Sequence, residues 1–251
     1  MQNSISTETG KVWGFRGTFL WGLVILLAFA LGQVIPLLGY MFVENMSITL
    51  ESFNSFSTKV TTDAFLLFLS AVGGMFLVVP VVLGIAKLKK GSILKEYFSL
   101  NGFTLKVLGL AILAFVVLQF STGLLIEAMG AKEIPNFMMN LEYPTLMTKI
   151  LLVIAVVVAA PIVEEVIFRG FLLKGFSQTF MGVHGAVFVT AVLWAVIHQQ
   201  YEIAYLIAIF VIGLVFGYAR VLSNSLYIPM IMHALMNFLA IMGLFYAKGV
   251  F

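Results

Sequence analysis

The chain has 251 residues, 62% of them hydrophobic and only 10% charged, with a mean hydropathy of +1.11. Soluble domains carry roughly 25% charged residues, so this composition excludes an ordinary soluble fold and makes a lipid bilayer the expected solvent. The formal charge of +3 is what lysines in cytoplasmic loops produce and does not indicate a nucleic-acid partner, while the absence of cysteine removes disulfides, thiolate nucleophiles and thiolate metal sites.

A membrane crossing needs about 20 mostly apolar residues, because every backbone group must be hydrogen-bonded within its own segment. The first predicted span runs from Phe19 to Val43, after Lys11 and Arg16. It contains Ala28-Phe29-Ala30, which resembles a signal-peptidase site. Hydrophobicity continues past it through Leu31, Val34, Ile35 and Leu37, which favours a spanning helix. A polar stretch, Glu44 to Asp63, ends in Thr61-Thr62-Asp63, an N-cap signal for a second span from Ala64 to Ala86. Gly73-Gly74 and Pro80 predict either a bend or a close approach by a neighbouring helix.

Lys87, Lys89, Lys90, Lys95 and Lys106 form the densest cationic region and mark a cytoplasmic loop. Within it, Ile93, Leu94, Tyr97 and Phe98 fit one face of a short interfacial helix. The third span follows from Leu105 to about Met129, and Ala131 to Thr148 reads as a polar outer loop. Spans four to seven are predicted over Lys149–Leu173, Val183–His198, Ile203–Ala219 and Leu226–Ala247. The expected fold is therefore all-α, a polytopic transmembrane bundle of about seven spans with room for an eighth, its N-terminus inside and C-terminus outside. Residues 1–145 form an N-terminal helical region with the basic loop, and 146–251 form the core that carries the chemistry.

Ionisable groups in the middle of a spanning helix cost about 2.5 to 3.5 kcal/mol each, so they are functional candidates by default. The first three spans carry almost none. Spans four, five and seven carry Glu164, Glu165, Arg169, His198, His233 and Asn237. Glu165 and Arg169, spaced i, i+4, share a face and can form a charge-assisted pair. Glu164 points about a third of a turn away, leaving a carboxylate without its obvious partner, as a general base or ligand requires. Trp194 and His198 are also i, i+4, so the indole can wall a site that the imidazole faces. His233 and Asn237 repeat the spacing in span seven. Each element alone has a plain structural reading: an ion network, an interfacial histidine, a hydrogen-bonded helix contact. Together they supply a carboxylate, two imidazoles and an amide, from which Glu164 and His198 can activate a water while His233 and Asn237 hold an oxyanion. His184, beside two glycines at a helix start, reads as a cap or surface group.

In order, Glu164-Glu165-x-x-x-Arg169, Trp194-x-x-x-His198 and His233-x-x-x-Asn237 resemble the three motifs of the CAAX protease and bacteriocin-processing family. The resemblance covers roughly Leu146 to Phe245, and Trp194 stands where phenylalanine is usual. It implies an intramembrane endopeptidase in which Glu164 activates water, His198 assists, and Glu165 and Arg169 orient the site. His233 and Asn237 would then bind an oxyanion or, with Glu164 and His198, a divalent metal such as zinc. Members of this kind act on membrane-associated or lipid-anchored peptides and proteins, here from a bacterial cell membrane. The same residues would also serve a non-catalytic binding or immunity protein, or an ion-coupled transporter, although no internal repeat supports the last.

One geometric tension follows from helix rise. At about 1.5 Å per residue His198 lies far along a helix that starts at Val183, whereas Glu164 and His233 sit nearer the inner half. They meet only if the fifth helix begins submerged or tilted, or if Pro161 moves Glu164 toward mid-membrane.

Overall fold

A computed structural model describes residues 10–47, 49–131 and 134–250. Its long helices are α1 (Phe15–Val43), α3 (Ala64–Leu88), α5 (Leu105–Ala128), α7 (Leu146–Ser177), α9 (Ile203–Ser223) and α10 (Tyr227–Ala247). All six are long and apolar enough to cross a membrane, and a shorter apolar helix, α8 (Gly182–Val196), lies among them. Three short helices complete the set: α2 (Leu50–Thr62), α4 (Leu94–Tyr97) and α6 (Asn136–Met139). The chain is an all-α polytopic membrane protein, with no strand among the described residues.

Local chemistry explains most boundaries. Asp63 caps α3 by accepting from the N–H groups of Phe65 and Leu66, as its sequence position predicts. The preceding polar stretch is more ordered than its composition suggests. A reciprocal Thr49–Ser52 capping box starts α2 there, and Thr61 and Thr62 finish it. The outer loop is pinned to this junction by a Glu142 N–H to Thr62 carbonyl bond of 2.7 Å and an Ala64 N–H to Glu142 carbonyl bond of 3.1 Å.

Helices α1 and α3 cross through glycine. A Cβ at Gly32 would lie 3.0 Å from the Gly74 Cα, and Gly73 is covered by the Pro36 ring. The pair Gly73-Gly74 therefore admits a neighbour, and α3 runs unbroken through Pro80.

The basic loop differs from its expected form. Ile93 is exposed, but Tyr97 and Phe98 are fully buried: Tyr97 stacks on Phe171 at 5.7 Å, and Phe98 packs where Gly170 leaves space. The short helix α4 thus plugs the lysine-bearing end of the bundle instead of lying on it.

Helix α7 is the most enclosed span. It is not a uniform α-helix. Two π segments, Ile154–Ala159 and Val166–Leu172, flank the α-helical turn Ala160–Glu165. Such widened turns redirect side chains and release backbone carbonyls, and they recur at functional sites. Here they present Glu164, Glu165 and Arg169 inward together.

Candidate active site

Glu165 is the hub of the buried polar network. Its Oε1 accepts from Arg169 Nη1 at 3.0 Å and from His233 Nδ1 at 2.9 Å. The Glu165–Arg169 pair predicted from spacing is present, with both side chains fully removed from solvent. Arg169 also donates from Nη2 to the Gly213 carbonyl at 3.3 Å, and its Cζ lies 4.4 Å over the Trp194 ring and 5.6 Å over that of Phe216. A guanidinium so surrounded is held in one place by hydrogen bonds and by the aromatic faces.

Glu164 has no arginine or lysine partner among the described residues, but it does accept a hydrogen bond that the spacing does not reveal. Trp194 Nε1–H donates to Glu164 Oε2 at 2.6 Å, so the indole both walls the site and fixes the carboxylate. Trp194 also meets the rings of His198 (5.2 Å, 73°) and His233 (5.3 Å, 82°) edge to face.

The hydrogen-bond partners assign the imidazole tautomers. His198 Nδ1 lies 2.8 Å from the Trp194 carbonyl, which can only accept, so Nδ1 carries the proton. His233 Nδ1 faces the Arg169-paired carboxylate of Glu165 and likewise donates. Each ring therefore turns Nε2 inward, and both Nε2 atoms stand 3.9 Å from the same oxygen, Glu164 Oε2. That distance exceeds a direct hydrogen bond and matches a gap bridged by one water.

The feared mismatch in depth does not arise. Helix α8 ends at Val196, two residues before the expected boundary, and His198 sits in the turn beyond it, level with Glu164. At about 1.5 Å per residue, the 15 residues of α8 cover about 22 Å, short of a hydrocarbon core of about 30 Å. The turn after α8 thus falls at the depth of α7's central residues.

Asn237 takes a position that spacing alone does not reveal. Its Nδ2 donates to the Val156 carbonyl at 2.7 Å, inside the first π segment. One amide hydrogen is spent on that helix distortion, and the second remains. Tyr201 is a site residue that sequence reasoning missed. It packs edge-on against Phe137 at 4.8 Å and lies 5.9 Å from His198. Burial, and behind it the charge of Glu164, pushes its hydroxyl above the usual phenol range. Its only sequence signal is an aromatic three residues after His198. His184 is exposed and bonds Tyr218 at 2.8 Å, away from this centre, as expected of a surface group.

Glu164, Trp194, His198, Tyr201, His233 and Asn237 all line one cavity of about 760 Å³, whose far wall includes Gln33 of α1 and Gln119 of α5. A bound metal fits less well than a water. Neighbouring ligands on a tetrahedral zinc, at bonds of about 2.1 Å, lie about 3.4 Å apart. Glu164 is already bonded to an indole, and among the described residues no group of three His, Asp or Glu side chains is arranged to hold an ion.

The bundle gathers two carboxylates, two imidazoles and an amide beside one cavity. Residues 146–239 match the family model described as type II CAAX prenyl endopeptidase, Rce1-like. The match spans every residue of the network above. An uncharacterized 24.3 kDa protein of Escherichia coli is 32% identical over 87 residues, which cover 34% of this chain and 40% of that relative. No solved structure matches.

Proposed function

We propose that the chain is an intramembrane endopeptidase that hydrolyses a membrane-associated or lipid-anchored peptide or protein, with water as nucleophile. The observation that carries this reading is the placement of His198 Nε2 and His233 Nε2 at the same 3.9 Å from Glu164 Oε2. Three inward acceptors around one gap suit a water that donates two hydrogens and keeps a lone pair for attack. Glu164, assisted by His198, takes the proton as the oxygen adds to the scissile carbonyl. The free amide hydrogen of Asn237 then stabilises the oxyanion, the unprotonated His233 Nε2 accepts from the hydroxyl left on the tetrahedral carbon, and Glu164 returns the proton to the leaving amine. Glu165 acts on His233 through Nδ1 and is itself paired with Arg169. These are positioning roles.

The substrate class follows from the surroundings. The cavity combines the polar cluster with a mostly apolar lining that also carries Gln33, Gln119, Thr122 and Gln200. A second apolar groove of about 500 Å³ runs along α7 and α10 behind it, between Pro161 and Ala234. A peptide tethered to a lipid chain could place its backbone in the first and its chain along the second.

The test is cleavage of a lipid-anchored reporter peptide in liposomes by wild type, Glu164→Gln and His233→Ala, with insertion and melting checked for each. Loss of a general base is expected to slow turnover by about 10²- to 10⁴-fold. Activity within a few-fold of wild type in both variants would leave the constellation as a binding site and end the peptidase reading.

A further inference from the structure

The bundle contains two buried arginines with opposite surroundings. Arg169 has a carboxylate, a carbonyl and two aromatic faces. Arg220, in the last turn of α9 and only 4% exposed, has none of these among the described residues. Its Nε, like that of Arg169, is buried without a hydrogen-bond partner, but unlike Arg169 it has no carboxylate or carbonyl on its other nitrogens among the described residues. The carbonyl end of a helix attracts a cation, but that gain is small beside the cost of leaving a charge buried and unpaired. A buried guanidinium without an acceptor is a site awaiting an anion.

Its surroundings are built rather than loose. Asn101 Nδ2 donates to the Asn224 carbonyl at 3.0 Å, Ser225 Oγ to the Asn101 carbonyl at 2.6 Å, and the Leu226 N–H to the Ser99 carbonyl at 3.1 Å. These bonds stitch the segment after α4 to the α9–α10 connection beside Arg220. Lys174, in the last turn of α7, adds a second cation at this end of the bundle. Neither Arg220 nor Lys174 lines the catalytic cavity, so a substrate carboxylate held there would not reach them.

We propose that Arg220, aided by Lys174, binds a phosphate group at the lysine-bearing end of the bundle. The planar guanidinium fork matches phosphate oxygens in pairs. The same end exposes Leu105, Phe180 and Leu222, apolar side chains against which acyl chains can lie, and this favours the headgroup of an anionic phospholipid over a free phosphate ion. The proposal does not depend on the peptidase reading.

Thermal unfolding of the full chain in zwitterionic micelles tests it, with added phosphatidylglycerol, phosphatidylcholine or inorganic phosphate. Phosphatidylglycerol should raise the melting temperature of wild type saturably and phosphatidylcholine should not. In Arg220→Gln the half-saturating concentration should rise about tenfold or more, and in Arg220→Lys by less. Replacing exposed Lys87 and Lys90 together with glutamine should change it less than twofold. An equal rise with inorganic phosphate would support the site and make the free ion its occupant. Three results would each overturn the proposal: no response of wild type to either anion, an unchanged midpoint in Arg220→Gln, or an equal loss in the Lys87/Lys90 variant, which would mark general surface charge. Should Arg220→Gln not fold, the wild-type titrations and Arg220→Lys still decide.

Discussion

The Glu165–Arg169 pair offers a quantitative test of how the site is held. Both side chains are fully buried, and each has a second partner: His233 Nδ1 for Glu165, and the Gly213 carbonyl with the Trp194 face for Arg169. Removing one member of a buried pair typically costs about 3 to 5 kcal/mol, because a charge remains without compensation. The second partners place Glu165→Gln and Arg169→Met near the lower limit, about 3 kcal/mol each. Contacting residues commonly couple by 0.5 to 3 kcal/mol. With a coupling of about 2 kcal/mol, the double variant should lose about 4 kcal/mol where independent sites would lose about 6. Reversible unfolding in mixed micelles, or steric trapping in bicelles, measures all four corners of the cycle. Additivity within about 0.5 kcal/mol would refute the pair as a structural unit, as would single losses below about 1 kcal/mol.

Other consequences are simpler to measure. A Cβ at Gly170 would lie 2.6 Å from Phe98 Cδ1, so Gly170→Ala should destabilise the bundle by about 1 to 3 kcal/mol through overpacking, read as a lower melting temperature. Asn237→Ala strips the Val156 carbonyl of its donor and should cost about 1 to 3 kcal/mol as well as activity, whereas a variant with full activity would remove Asn237 from oxyanion binding. Asp63→Ala should cost about 0.5 to 2 kcal/mol through the lost α3 cap, with the reporter still cleaved once folded. Exhaustive dialysis against a strong chelator should leave cleavage intact; loss of activity that zinc restores would instead put a metal among Glu164, His198 and His233.

Much of this organisation is legible in the sequence, and the illegible part has definite causes. Hydropathy locates the spans because lipid allows few alternatives to a continuous apolar helix. Spacing finds Glu165 with Arg169, since i, i+4 neighbours meet on any regular turn. The role of Trp194 as a donor to Glu164 is hidden because it depends on how α7 and α8 face one another. Helix α2 escapes notice because its polar composition reads as a loop, although Phe53, Phe56 and Val60 recur at helical spacing and Phe56 packs with Leu37, Met41 and Leu66. The first π segment leaves no Pro or Gly signature: Ile154–Ala159 is a run of Val, Ile and Ala that reads as ordinary spanning helix.

The π segments and the short α8 solve one problem together. A catalytic water in a membrane needs polar groups from several helices at one depth, yet each polar side chain must be satisfied when that water is absent. Four groups meet this condition through a protein partner: Glu164 through the Trp194 indole, His198 through the Trp194 carbonyl, His233 through Glu165, and Asn237 through the carbonyl of Val156, while Glu165 Oε2 and Arg169 Nε stay buried without one. The inward atoms, two imidazole Nε2 and one carboxylate oxygen, are left facing a common gap. Ending α8 before it crosses the bilayer sets the depth of His198, and the adjacent carboxylates of Glu164 and Glu165, in the α-helical turn Ala160–Glu165 between the two π segments, meet different partners, Trp194 for one and Arg169 with His233 for the other. Helix length and helix distortion therefore do here what loops do in soluble hydrolases, whose backbone can leave regular structure because water satisfies it.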